Sequence, residues 1–189
     1  MQLYKIAKYF TPGTILDIGA NIGQFHTLAK NTFPNSAIFS IEASPDCEPH
    51  LMKITENYYI GLLAKDTSEY DFYSRKGDMT CTGNSVYREL TQFYSDDQVQ
   101  ILKQQGIRLD DLFEPGAEFD LIKIDTQGSE LDIITGGMEV SITQYNEGSP
   151  LYEEVLVFMR EAGFREELII DESRNHGSHQ QDILFINER

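Results

Sequence analysis

Asp17, Gly19, Gly23 and Glu42 are the first residues in this chain whose types and spacing could do chemistry. The segment Ile-Leu-Asp-Ile-Gly-Ala-Asn-Ile-Gly at 15–23 opens as a short apolar run and then turns through its two glycines. It leads into Gln24-Phe-His-Thr-Leu-Ala, which has helical periodicity. A strand, a glycine turn and a helix start let a ligand lie against bare backbone N–H groups at a helix N-terminus. A second apolar run at 37–41 is capped by Glu42, nineteen residues past Gly23. An acid at the end of the second strand of a βαβ unit is well placed to accept both hydroxyls of a ribose. Together these features imply a nucleoside-containing cofactor. The expected binding set is Asp17, Gly19, Ala20, Asn21, Gly23, Gln24, Glu42, Ala43 and Asp125, with Leu62 and Leu63 lining the adenine.

The glycines indicate which nucleoside. A dinucleotide fingerprint reads G-x-G-x-x-G, and its middle glycine lets a pyrophosphate approach the backbone. Asn21 occupies that middle position here. A carboxylate beside the turn, Asp17, would repel a pyrophosphate but suits the cationic ammonium and sulfonium of S-adenosyl-L-methionine. The methyl donor is therefore expected ahead of a nicotinamide cofactor. The alternative in which the turn serves only strand–helix packing does not account for its coincidence with Glu42.

The elements that must position these groups alternate. The pattern predicts a short helix at 2–10, a strand at 14–18, a helix at 23–33, a strand at 37–42, a helix at 45–56 and a strand at 58–63. An extra edge strand follows at 70–73, then a polar loop at 77–85, helical spacing over 86–104 and a helical turn at 109–113. The run Phe119-Asp-Leu-Ile-Lys-Ile124 is nearly all apolar, as the centre of a parallel sheet requires. Beyond it the pattern predicts a helix at 128–135, a strand at 138–143, a helix at 150–162 and strands at 167–171 and 182–187. Such alternation means an α/β fold, a parallel sheet with helices on both faces. Gly136-Gly137 followed at once by a strand is unusually compact for a crossover, which suggests a missing segment near 137–138.

The bulk numbers fit one globular domain over 1–189, with 40% hydrophobic and 24% charged residues. No apolar run reaches the length of a membrane span, and the N-terminus lacks a signal-peptide pattern. Cys47 and Cys81 form neither a metal spacing nor a disulfide framework, so a cytoplasmic protein with reduced thiols is expected. Fifteen basic against 31 acidic residues leave a net charge of −16, which repels phosphate backbones and argues against nucleic acid as a partner. No tight cluster of ligating residues predicts a metal. The oligomeric state stays open, a homodimer included.

The stretch Asp120-Leu-Ile-Lys-Ile-Asp-Thr-Gln-Gly-Ser-Glu-Leu-Asp-Ile-Ile-Thr-Gly-Gly137 closely resembles the signature of the FkbM-type methyltransferases. That signature reads hydrophobic-Lys-Ile-Asp-x-Glu/Gln-Gly-x-Glu, then apolar residues and a glycine. Asp17 to Gly23 is similar to the family's first motif and Ile41-Glu-Ala-Ser-Pro45 to its second. Thr82-Gly-Asn-Ser-Val-Tyr87, Leu109-Asp-Asp-Leu-Phe113 and Gln181-Asp-Ile-Leu-Phe185 also resemble members. The short 131–138 stretch departs from the pattern, and so does the absence of residues well before the first motif. The resemblance implies a seven-stranded Rossmann-like methyltransferase whose last strand is antiparallel. It also implies O-methylation of a sugar or natural-product hydroxyl.

A sugar hydroxyl barely ionises at neutral pH, so a general base or a metal should assist its attack. Lys123 and Asp125 lie two apart at the carboxyl end of the central strand, where open α/β sheets bind ligands, and both point to one side. Asp125 is expected as base or acceptor anchor, unless it only caps the next helix. Lys123 and Glu130 join it as candidate catalytic groups. For Lys123 the structural alternative is an ion pair, and for Glu130 it is complementing the helix dipole. The loop at 75–85 and the aromatic segment 86–94 are the expected acceptor lid. The rival readings are a nicotinamide oxidoreductase, an aminopropyl transferase and a non-catalytic cofactor-binding module.

Overall fold

A computed structural model describes residues 3–8, 10–78, 80–114, 117–133, 138–141, 152–161, 163–175 and 178–187. Its centre is β1 (Thr14–Ile18), whose last four residues are all buried. Such burial on both faces marks a strand covered on both sides, and within it Asp17 alone interrupts the apolar residues Ile15, Leu16 and Ile18. It pairs in parallel with β2 (Ala37–Glu42) on one side and with β7 (Leu121–Ile124) on the other. A short β3 (Tyr58–Ile60) adds outside β2, giving the order β3-β2-β1-β7. The register places Asp17 level with both Ser40 and Lys123, and Ile18 level with both Ile41 and Ile124.

Side-chain alternation along β1 then builds two cores. Ile15 joins Phe25 and Ala29 of the helix α1 (Gln24–Thr32), and Phe33 just after it, on one face. Leu16 and Ile18 join Ile41, Leu63, Ile124 and Ile133 on the other. Phe39, Phe113 and Phe119 extend this second core through edge-to-face rings about 5 Å apart. A third cluster seats the helix α5 (Tyr152–Glu161) by Val155 and Met159 against Ile183.

Two further sheets complete the described strands. In one, β4 (Leu62–Leu63), β6 (Val99–Ile107) and β5 (Glu69–Arg75) lie in the order β4-β6-β5. In the other, β10 (Ser178–Asn187) runs antiparallel between β8 (Met138–Ser141) and β9 (Phe164–Asn175).

Several sequence expectations need correction. The helical spacing over 86–104 is in fact a single turn at Gln92–Tyr94 followed by β6. Its three glutamines and Lys103 favour helix, but β5 offers a continuous antiparallel partner from Glu69–Gln105 to Arg75–Val99, and tertiary pairing overrides propensity. The single strand expected at 58–63 divides at Gly61, whose N–H donates to the Glu42 carbonyl oxygen at 2.8 Å. Residues before it pair with β2 and those after it with β6. The helix expected at 2–10 is one 3-10 turn, Ile6–Lys8, and that at 45–56 is a 3-10 turn leading into α2 (Glu48–Leu51). The last two strands are longer than expected, 164–175 against 167–171 and 178–187 against 182–187. The suspected gap adjoins 134–137, which lie outside the described residues. Among the described residues, no helix is long and apolar enough to cross a membrane.

Gly19 is the tightest point of the fold. Its φ is 74°, and a Cβ there would be driven into the backbone carbonyl oxygen of Asp125. Gly19→Ala should therefore lower stability by about 2–4 kcal/mol, from left-handed strain plus displacement of the β7 end. Urea unfolding measures this, and a loss below about 1 kcal/mol would mean that the turn yields freely.

Candidate functional site

The first wall of the site is the turn after β1. Gly19, Asn21 and Gly23 all have positive φ, at 74°, 49° and 87°. The N–H groups of Gly19 and Ala20 both donate to the Ile41 carbonyl oxygen, at 2.9 and 3.0 Å, which ties the turn to the end of β2. The Asn21 N–H donates to Glu42 Oε2 at 2.7 Å, and the Ser44 N–H donates to Oε1 at 2.8 Å. Glu42 is thus held rigidly by two backbone donors. Burial pushes its carboxyl above the ordinary range, and those two N–H groups pull it back. Gly23 caps α1 rather than facing the site, because any side chain there would strike Ile54.

Behind the turn lies a buried ion pair. Lys123 Nζ stands 3.2 Å from Asp17 Oδ1 and 3.8 Å from Asp125 Oδ2, and it donates to the carbonyl oxygens of Gly19 at 2.8 Å and Ile18 at 3.2 Å. Its ammonium also lies 5.6 Å from the centre of the Phe25 ring. Burial works against the Lys123 charge, but the Asp17 and Asp125 carboxylates outweigh it and hold the ammonium above its ordinary range. Asp17 is fully buried, so it acts on the turn through Lys123 and does not reach the open space itself. His26, on α1, is also buried, with Nδ1 3.0 Å from Ser40 Oγ.

The loop after β7 forms the opposite wall. Glu130, at the start of α4 (Glu130–Ile133), turns its buried carboxylate back into that loop. It accepts from the Thr126 N–H at 2.8 Å, the Thr126 hydroxyl at 3.2 Å and the Gly128 N–H at 2.9 Å. Those donors shape the segment between Asp125 and Ser129, in which Gln127 (φ 58°) and Gly128 (φ 108°) both take left-handed conformations. Asp125 is the partly open member, with a side chain 40% exposed and Oδ1 accepting from Gln127 Nε2 at 2.8 Å.

Between these walls is a cavity of about 580 Å³, within the ordinary range of small-ligand sites. Gly19, Ala20, Asn21 and Gln24 line it from the turn, Glu42 and Ala43 from the end of β2, Leu62 and Leu63 from β4, and Lys123 and Asp125 from β7. Of the residues expected from the sequence, Asp17, Gly23 and Glu130 stand behind this surface.

The segment 81–86 closes the cavity along one side. Asn21 Nδ2 donates to the Thr80 carbonyl oxygen at 2.8 Å, Ser85 Oγ to that of Thr126 at 2.8 Å, and Tyr87 Oη to Asp132 Oδ2 at 2.6 Å. The aromatics of the expected lid do not line it, for Tyr94 is buried against Asn84, and Phe93 lies under the Arg75 guanidinium. Val86 and Glu89 do. Sequence reasoning missed Phe72, Glu89 and Gln127. Glu89 carries no periodic signal for its burial, and Gln127 sat unremarked inside the 120–137 motif.

Comparison with known proteins identifies the family. The family model described as "Methyltransferase FkbM domain" matches residues 17–166. A curated relative named "Methyltransferase 1", from Beauveria bassiana (strain ARSEF 2860), is 24% identical over 155 residues. The match covers 71% of this chain and 62% of the relative, so the chain spans less than two thirds of that protein's length. No solved structure matches the chain.

The buried carboxylates set a pH dependence. Burial raises the carboxyls of Glu42 and Glu130 above their ordinary 4.5. A carboxyl whose pKa is higher in the folded state contributes stability that is complete below its unfolded value and is lost as pH rises through its folded value. Hydrogen bonds hold Asp66, Asp97 and Asp120 below 3.8, so their opposite contribution fails only in stronger acid. Across the same range His26 works the other way, because burial holds its imidazole below 6.5, so the ligand-free chain should melt higher near pH 5 than near pH 8 by what the carboxyls contribute beyond His26. Thermal melts across that range check this, and Glu130→Gln should flatten the slope.

Proposed function

The chain belongs to the FkbM methyltransferase family, and from that premise we propose that it is an S-adenosylmethionine-dependent O-methyltransferase. Its acceptor is a hydroxyl of a sugar or natural-product metabolite, and it works in the cytoplasm. One observation carries the reading: a single cavity gathers the glycine turn, the acid ending β2 and the Lys123–Asp125 end of β7. The contact between β7 and β8 supports a related reading of the fold. In it the strands continue as one sheet, β3-β2-β1-β7-β8-β10-β9, with an antiparallel last strand.

The residues present suit the methyl donor. Glu42 is an acceptor-only group fixed by two backbone donors, with lone pairs left for ribose hydroxyls. Leu62, Leu63 and Phe72 offer an apolar surface for adenine, and Gly19 to Gln24 offer backbone beside the methionyl portion. The wall carries Glu42, Glu89 and Asp125 against the cation of Lys123, a balance that favours a cationic ligand. Bound there, S-adenosylmethionine supplies an activated methyl group on a sulfonium.

The chain's own part is positioning and proton transfer. Asp125, partly open at the carboxyl end of β7, orients the acceptor hydroxyl and takes its proton as the oxygen is methylated. Lys123 stays with Asp17 and the turn carbonyls, where it fixes geometry. Glu130 shapes the loop that presents Asp125. The segment 81–86 encloses the acceptor.

Two variants test the reading. Glu42→Ala should weaken binding of S-adenosylhomocysteine by about 1.5–3 kcal/mol in calorimetry, and unchanged affinity would remove Glu42 from the site. Asp125→Asn should lower methyl transfer by roughly 10²–10⁴-fold with cofactor affinity kept within a few-fold. Mass spectrometry of reactions with a panel of glycans and hydroxylated metabolites supplies the turnover assay. Intact turnover in that variant would leave Asp125 a helix-capping role.

A further inference from the structure

We infer that Glu89 is an acceptor-binding residue, and that the hydroxyl it helps to present belongs to a molecule carrying a protonated amine. This rests on the O-methyltransferase reading above and adds the chemical class of the acceptor.

Glu89 is a carboxylate to which the proposed chemistry gives no task. It lines the cavity, yet it is only 6% exposed. A charged side chain is seldom so deep unless it is paired or serves a site. The local sequence builds a seat for it. Thr91 opens the Gln92–Tyr94 turn, where its hydroxyl accepts from the Phe93 N–H at 3.3 Å and donates to Glu89 Oε1. Glu89 Oε2 lies over Gly83, in the middle of the closing segment. A Cβ at Gly83 would collide with that oxygen and press on the Tyr94 ring. Gly83 is needed there for room, since its φ is not positive.

The charges around the cavity say what this carboxylate suits. Arg88, its neighbour in the chain, donates from Nε and Nη2 to the Tyr94 carbonyl oxygen at 2.9 and 2.6 Å and pairs with Asp96 at 2.7 Å. Among the described residues lining the cavity, Lys123 is the only cation, and Asp17 and the turn carbonyls hold it. Glu42, Glu89 and Asp125 stand against it. The methyl donor adds a single net positive charge, which leaves the cavity negative. A cation on the acceptor completes the balance.

Position assigns Glu89 to the acceptor. Gly83 stands two residues before Ser85, whose hydroxyl donates to the carbonyl oxygen of Thr126, the residue after Asp125. The seat of Glu89 is thereby joined to the end of β7, where the acceptor hydroxyl is oriented. The donor's ribose and adenine lie toward β2 and β4. One small molecule bearing a hydroxyl and an ammonium meets Asp125 with the first and Glu89 with the second. A charge-assisted hydrogen bond makes that second contact stronger than one from a neutral hydroxyl.

Matched acceptors test this. Amino sugars and hydroxylated amines are assayed beside their N-acetyl derivatives and beside counterparts with a hydroxyl in place of the amine, and fragmentation in the mass spectrometer locates the methyl group. The unaltered chain should favour the amines by roughly 10–100-fold in kcat/KM, chiefly through KM. Glu89→Gln keeps the size and polarity of the side chain but not its charge, and should bring that ratio to within a few-fold of one. Its affinity for S-adenosylhomocysteine should stay within a few-fold, which also shows that it folds.

Equal kcat/KM for amines and neutral counterparts in the unaltered chain would overturn the inference and leave the O-methyltransferase reading intact. So would an amine preference that survives in Glu89→Gln, since the carboxylate would then only support the segment. A tenfold or greater fall in S-adenosylhomocysteine affinity would assign Glu89 to the donor's ammonium and overturn it too. Transfer to nitrogen, or to no acceptor of either class, would remove the underlying reading and this inference with it, so the two failures are distinguishable.

Discussion

The buried ion pair between Asp17 and Lys123 is the constraint on which the rest of the site depends. The two residues face each other across adjacent parallel strands, and the lysine ammonium also collects the carbonyl oxygens of Ile18 and Gly19. A charge this deep is costly unless paired and hydrogen-bonded. Its position therefore decides where the chain can leave β1. The glycine turn begins where those two carbonyls point at Lys123, and Asp125 emerges two residues further along the same strand. Register, turn and site geometry are one arrangement viewed from three places.

That coupling explains which parts of the fold were legible. The strands at 14–18, 37–42 and 121–124 were readable because burial keeps them largely apolar, with Asp17, Ser40 and Lys123 as the polar exceptions inside them. The glycine turn and Glu42 were readable because backbone strain and acid placement restrict residue type. By contrast, β6 is partly exposed and rich in glutamine, and its pairing with β5 and β4 makes it a strand. The break at Gly61 was hidden for a related reason. It depends on two different neighbours, β2 and β6, that sequence does not bring together.

The candidate site was legible as a set of residues but not as a set of roles. Residue types and spacing brought Lys123, Asp125 and Glu130 forward together, yet only three-dimensional contacts separate them. Lys123 is occupied by the turn, Glu130 by its own loop, and Asp125 alone faces outward. Asp17 likewise reads from sequence as a neighbour of the ligand, although it stands one layer behind. Spacing along a chain reports which face a side chain shares, but it does not report how deep that side chain lies.

The segment that closes the cavity is backed by β5 through the bridge between Ser85 and Tyr73, and it is tied across the cavity to Asn21 of the turn, to Thr126 beyond β7 and to Asp132 of α4. Each tie is a single hydrogen bond of modest net strength, about 0.5–1.5 kcal/mol for a neutral pair and somewhat more for the bond to Asp132. Because these cross-cavity ties are separate from the pairing with β5, they can break one after another while Ser85 stays on that strand. A molecule enclosed beneath the segment leaves only when they have opened. Its residence time is thus governed by the rim of the cavity, whereas its affinity is governed by the floor.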